Sequence, residues 1–194
     1  MKVPIWLKLG YGLTTPAIAV DYARSYGPKN FLWLSDIALG STAAAVIFES
    51  PLLASMPAVG VLPLEIAWTA SFLSGGRVTG LAGYMFDRNI PLGRRALSLF
   101  HLALAPTILW MLGRFGYDRR AMLLQTAVTW AVLPATYAIT EPEKNINWVF
   151  GPGSKPQHRL PPLLYLGLEM IALPMFVFLP MHMILGRVFG RRTG

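Results

Sequence analysis

Cysteine is absent from all 194 residues, which excludes disulfides, thiolate metal sites and cysteine nucleophiles together. Charge is scarce as well. Asp, Glu, Lys and Arg make up only 13% of the chain, too little polar surface to cover a water-soluble globule of this length. The three histidines show no H-x-x-x-H spacing, so neither a metal site nor a cofactor is expected. Gly-x-Ser-x-Gly, the Walker A pattern and the dinucleotide fingerprint are missing too, which leaves nucleotide-driven chemistry without support. With no internal repeat, heptad series or low-complexity tract to divide it, the chain reads as a single integral membrane domain over residues 1–194.

What is present is oil. Hydrophobic residues make up 54% of the sequence and the mean hydropathy is +0.49. Stretches nearly free of charge alternate with short basic or Pro/Gly-rich breaks. A hydrocarbon core about 30 Å thick needs about 20 apolar residues in helical conformation, each rising about 1.5 Å. The pattern therefore predicts an all-α polytopic transmembrane helix bundle of about six spans, at residues 4–20, 31–48, 52–73, 96–113, 121–139 and 163–186. Several should be proline-kinked, at Pro16, Pro57, Pro63, Pro174 and Pro180. Lys8 interrupts the first span and is expected to snorkel towards a headgroup. Glu49-Ser50-Pro51 is a tight turn, with Pro51 suited to the first turn of the next helix, and it implies an antiparallel pair.

The net charge of +8 comes from Lys and Arg that fall mostly between the apolar runs. There they anchor helix ends and meet anionic headgroups, so membrane lipid and other membrane subunits are the expected partners and nucleic acid is not. The first segment lacks a small-residue cleavage site and reads as a retained helix, not a removed signal peptide. An even number of spans puts both termini on one side. The short basic turn at 114–120 and the tail at 187–192 favour the inside, and a multi-pass protein of the bacterial cytoplasmic (inner) membrane is expected.

Five polar residues stand out as candidates. Asp36, Glu65 and Glu169 fall within apolar runs, where an ionised, unpaired acid costs several kcal/mol and so faces the bundle interior, finds a donor or stays protonated. For each, the simpler expectation is a polar lock, above all for Glu65, two positions after Pro63. His101 lies early in the fourth run, as an acid/base group or a hydrogen-bonded interfacial residue. Asn147 pairs with Asn145 in Glu-Lys-Asn-Ile-Asn-Trp. In an extended segment the two amides would face one way and line the mouth of a cavity; the simpler expectation is a solvated turn feeding an interfacial Trp148.

The segments Asn30-Phe-Leu-Trp-Leu-Ser-Asp36, Glu49-Ser-Pro-Leu-Leu-Ala-Ser55, Gly83-Tyr-Met-Phe-Asp87, Ser98-Leu-Phe-His101 and Gly116-Tyr-Asp-Arg119 resemble a family of bacterial multi-pass proteins described only as membrane-associated. That likeness covers nearly the whole chain and implies a multi-pass bundle without an assigned reaction. The His101 region and Asn145-x-Asn147 are more distantly similar to a eukaryotic multi-pass family of Cys/His membrane acyltransferases. Only the histidine carries over, to His101, because this chain has no cysteine to serve as that nucleophile.

Three functional classes follow. The leading expectation is a non-catalytic bundle that binds a lipid or apolar ligand, or serves as an accessory subunit of a membrane complex. The alternatives are an intramembrane lipid-modifying enzyme using His101 with Asp36 or Glu65, and a small proton-coupled transporter using the same acids as relays.

Overall fold

The computed structural model describes residues 2–190, which contain helices and turns and no strand. Of the basic tail expected to mark the inside, residues 191–194 lie outside the described residues. Helix α1 spans Ile5–Ser25, α2 Leu34–Phe48, α3 Pro51–Gly60, α4 Leu62–Leu73, α5 Leu92–Leu97, α6 Phe100–Phe115, α7 Ala121–Ile139, α8 Pro162–Ala172 and α9 Leu179–Val188.

Among the described residues, three helical runs are long and apolar enough to cross a membrane: Leu92–Phe115, Ala121–Ile139 and Pro162–Val188. A fourth joins them if α3 and α4, bent by 63° at their junction, count as one. The two remaining expected spans fall short for different reasons. Helix α1 is long enough but carries Lys8, Asp21 and Arg24, and α2 has only 15 residues, about 22 Å of rise against a core of about 30 Å.

The prolines act unequally. Pro16, Pro106 and Pro134 sit inside α1, α6 and α7, and Pro57 sits inside α3 without ending it. The break comes at Val61, two residues before Pro63, where the ring removes the N–H that would have continued the ladder. Pro174, expected to break the last span, instead lies in a π-helical turn over Leu173–Phe178, and the helix continues into α9. At the other tight turn, Glu49 adopts a left-handed conformation, Ser50 Oγ accepts from Leu53 N at 3.3 Å, and Pro51 opens α3. The antiparallel α2/α3 pair follows, joined by Ser41 Oγ donating to Leu53 O at 2.9 Å.

The core is built from Val46, Ala54, Ala58, Val59, Leu104, Ile108 and Met111 of α2, α3 and α6, with Phe178 from the last helical run. Alanines at these positions let the helices approach closely, as packing in an apolar solvent requires. Gly60 shows the same logic against α7: an added Cβ would stand 2.6 Å from the Gln125 side chain. Polar contacts gather at two ends of the bundle. At the first, Lys8 Nζ meets Glu49 Oε1 at 2.6 Å, so Lys8 ends on a carboxylate of the protein itself. There too Tyr117 N donates to Phe189 O at 3.0 Å. At the second, Lys29 Nζ meets Glu141 Oε1 at 2.6 Å, and Arg94 pairs with Asp21 across 3.7 Å.

Candidate functional site

The break before α4 creates a helix N-terminus inside the bundle, and Glu65 stands in its first turn. Asp36 occupies the first turn of α2. Free backbone N–H groups and the helix dipole favour negative charge at both positions. Glu65 is 2% exposed and its Oε2 lies 2.8 Å from His101 Nδ1 of α6. An ionised carboxylate only accepts, so the imidazole then donates. The His101 ring stacks on Trp68 at 4.5 Å between centroids and on Phe100 at 4.0 Å.

Asp36 Oδ2 accepts from Asn30 Nδ2 at 2.9 Å. Hydroxyls extend the cluster towards the second end. Tyr22 and Ser98 share a hydrogen bond of 2.9 Å, and the ring of Tyr84, from the 3₁₀ turn Gly83–Phe86, lies 6.5 Å from that of Trp68 between centroids. Tyr84 is 37% exposed. Burial pushes the phenol above its ordinary range, Ser98 and Trp68 oppose that, and the Glu65 charge adds to it; the group stays protonated and able to donate. Beyond it Arg94 lies over the Tyr26 ring at 5.2 Å.

The fold thus brings two of the five candidates, Glu65 and His101, into contact. Asn147 is not extended. It adopts a left-handed conformation, φ 53°, its Oδ1 accepts from Leu34 N at 2.9 Å, and its Nδ2 donates to Leu32 O at 2.7 Å. It clips the start of α2, the helix that carries Asp36. Asn145 faces elsewhere, donating to Gly151 O and Gly153 O and accepting from Phe150 N. Glu169 sits apart on α8, half-buried, with Oε2 lacking a hydrogen-bond partner. His182 pairs with Tyr117 at 2.7 Å at the first end. Among the described residues no three His, Cys, Asp or Glu side chains are placed to hold a metal ion.

Sequence reading missed Asn30, Tyr22, Tyr84 and Ser98, whose residue types are common at any membrane interface. Trp68 was within reach, because it stands three residues after Glu65 and so on the same helix face. Also missed was an apolar groove of about 370 Å³ between α1 and the α5/α6 run, with Gly10, Thr14 and Ile18 on one wall, Leu97 and Phe100 on the other, and Leu39 at its base. Its small residues at positions 10, 14 and 17 recur at helical spacing.

The architecture is that of an all-helical protein with three to four apolar helices of membrane-spanning length. No family model, curated protein or solved structure matches the chain.

Proposed function

We propose that this protein is a multi-pass integral membrane protein that holds the acyl chain of a membrane lipid in the groove between α1 and the α5/α6 run, without transforming it. In this reading α1 and α2 also cross, giving six spans in a bacterial cytoplasmic membrane. The Lys8–Glu49 and Arg94–Asp21 pairs neutralise two of the three charges that α1 carries.

The groove is the observation that carries the proposal. Its volume of about 370 Å³ lies within the range of small-molecule sites. It opens beside Trp6, Leu9 and Leu13, which α1 leaves exposed, and lipid chains are the surrounding phase for such a face. Ala96 and Leu97 line it immediately after Arg94 and Arg95, so a chain lying there would place an anionic headgroup near cations at the second end.

Gly10 provides the test, since a Cβ added there meets nothing within 4 Å. Gly10→Leu should fill the groove without disturbing the packing. Native mass spectrometry of protein released from nanodiscs should show a retained phospholipid in the parent chain and its loss in the variant. Equal retention in both would overturn the proposal.

A further inference from the structure

The groove ends at a charged pair. Ala17 and Ile18 line its α1 wall, and Asp21 stands one turn further along the same helix face. Leu97 lines the opposite wall, and Arg94 stands one turn before it. The two charged side chains meet at 3.7 Å, Arg94 Nε to Asp21 Oδ2, and so bridge the walls at the second end. Beside them the hydrogen bond between Tyr22 and Ser98 ties α1 to the α5/α6 run.

This pair is poorly made. At 3.7 Å it is too long for a hydrogen bond, and among the described residues neither facing atom has a hydrogen-bond partner, although both are covered. The side chains as a whole keep 30% and 39% of their surface open, so solvent screens the pair and it contributes little to stability. The guanidinium is nonetheless held, with its Cζ over the Tyr26 ring at 5.2 Å. Arg24 follows Asp21 by one turn and Arg95 adjoins Arg94, which sets one acid among three arginines. Arg95 is engaged elsewhere, its Nη1 donating to Met85 O at 2.9 Å. Arg94 is thus the fixed cation at the end of the groove, and its Nε–H lacks an acceptor.

We propose that Arg94 is the phosphate site for the lipid whose acyl chain lies in the groove, and that this lipid carries a net negative charge. The assignment rests on the reading of the groove as an acyl-chain site. The phosphodiester takes the place of Asp21 on the guanidinium, whose planar fork matches two phosphate oxygens where the carboxylate makes no hydrogen bond. Asp21 then turns towards water, and its charge, still close to the phosphate, opposes binding. A zwitterionic headgroup would bring its ammonium among Arg24, Arg94 and Arg95, whereas an anionic one meets a positive excess.

The test is native mass spectrometry of protein released from nanodiscs that contain equal amounts of phosphatidylglycerol and phosphatidylethanolamine. The parent chain should retain phosphatidylglycerol in about tenfold excess, the factor that one charge-assisted hydrogen bond supplies. Arg94→Gln should abolish the excess while lipid is still retained, because the groove is intact. Asp21→Asn should raise the retention of phosphatidylglycerol, a gain that misfolding does not mimic. Arg159→Gln, which removes a cation of the same end that does not line the groove, should leave the excess unchanged. An excess that survives Arg94→Gln, or that falls equally in Arg159→Gln, would overturn the assignment. So would a selective loss of phosphatidylethanolamine in Asp21→Asn, which would mark the pair as a zwitterion site. Lipid retained by the parent chain without preference, yet lost in Gly10→Leu, would refute the Arg94 site and leave the acyl-chain reading standing; a parent chain that retains no lipid would refute both.

Discussion

Glu65 and His101 show how a single contact is fixed by its solvent. Each would be stranded in an apolar bundle without the other, and removal of one member of a buried pair costs about 3–5 kcal/mol because the partner is left uncompensated. Glu65→Ala should therefore lower stability by about that amount in thermal unfolding in detergent, whereas a loss below about 1 kcal/mol would mean the pair is solvated. Asn147→Ala removes both bonds that hold Leu32 and Leu34 and should cost about 1–3 kcal/mol, measured the same way; an unchanged midpoint would show that the clip is redundant. Asp36, Glu65 and His101 were legible in the sequence because charge inside an apolar run demands a partner. For Asn147 the sequence offered either a turn or an extended segment; a turn forms, and nothing in Asn-Ile-Asn-Trp announces the left-handed conformations at Asn145, Asn147 and Trp148.

Among the elements, prolines were easy to see and their effects were not. Pro63 ends one helix and begins another, whereas Pro174 is absorbed by a wider turn, and the difference depends on whether neighbouring backbone can supply the missing bonds. The α3/α4 bend of 63° is attributed to Pro63. A straight helix from Leu52 to Leu73 would span about 32 Å, and the bend shortens it. Pro63→Ala should lengthen the distance between spin labels at those two positions, which the cysteine-free chain accepts without background. An unchanged distance would place the cause of the bend in tertiary packing. The groove was invisible at this level because it belongs to elements far apart in the chain, α1 and the α5/α6 run, although the small residues on α1 mark the face.

At the scale of the whole molecule, charge closes the ends and apolar surface covers the sides. The Lys29 ammonium, with help from the backbone and Lys144, holds the Glu141 carboxyl at about 2, below its ordinary 4.5. A group depressed in the folded state contributes stability above its unfolded value and loses it as pH falls through the folded one. Closure of the second end should thus weaken as pH drops from 4.5 towards about 2, seen as faster proteolysis of the 141–161 segment. Glu141→Gln should remove that pH dependence, and identical acid profiles for variant and parent would contradict the tether. The periodicity of apolar runs made the all-helical class legible, but it overcounted helices that qualify alone, because ion pairing and bends between elements are not local properties. Only 11% of the apolar window in Pro162–Val188 is buried within the protein, so the account rests on lipid covering the rest. The most direct measurement is the accessibility of spin labels in reconstituted protein at Phe176 and Leu123, both 74% exposed. Collision with oxygen and protection from a water-soluble nickel complex is the result predicted. Ready collision with nickel at both positions would contradict it.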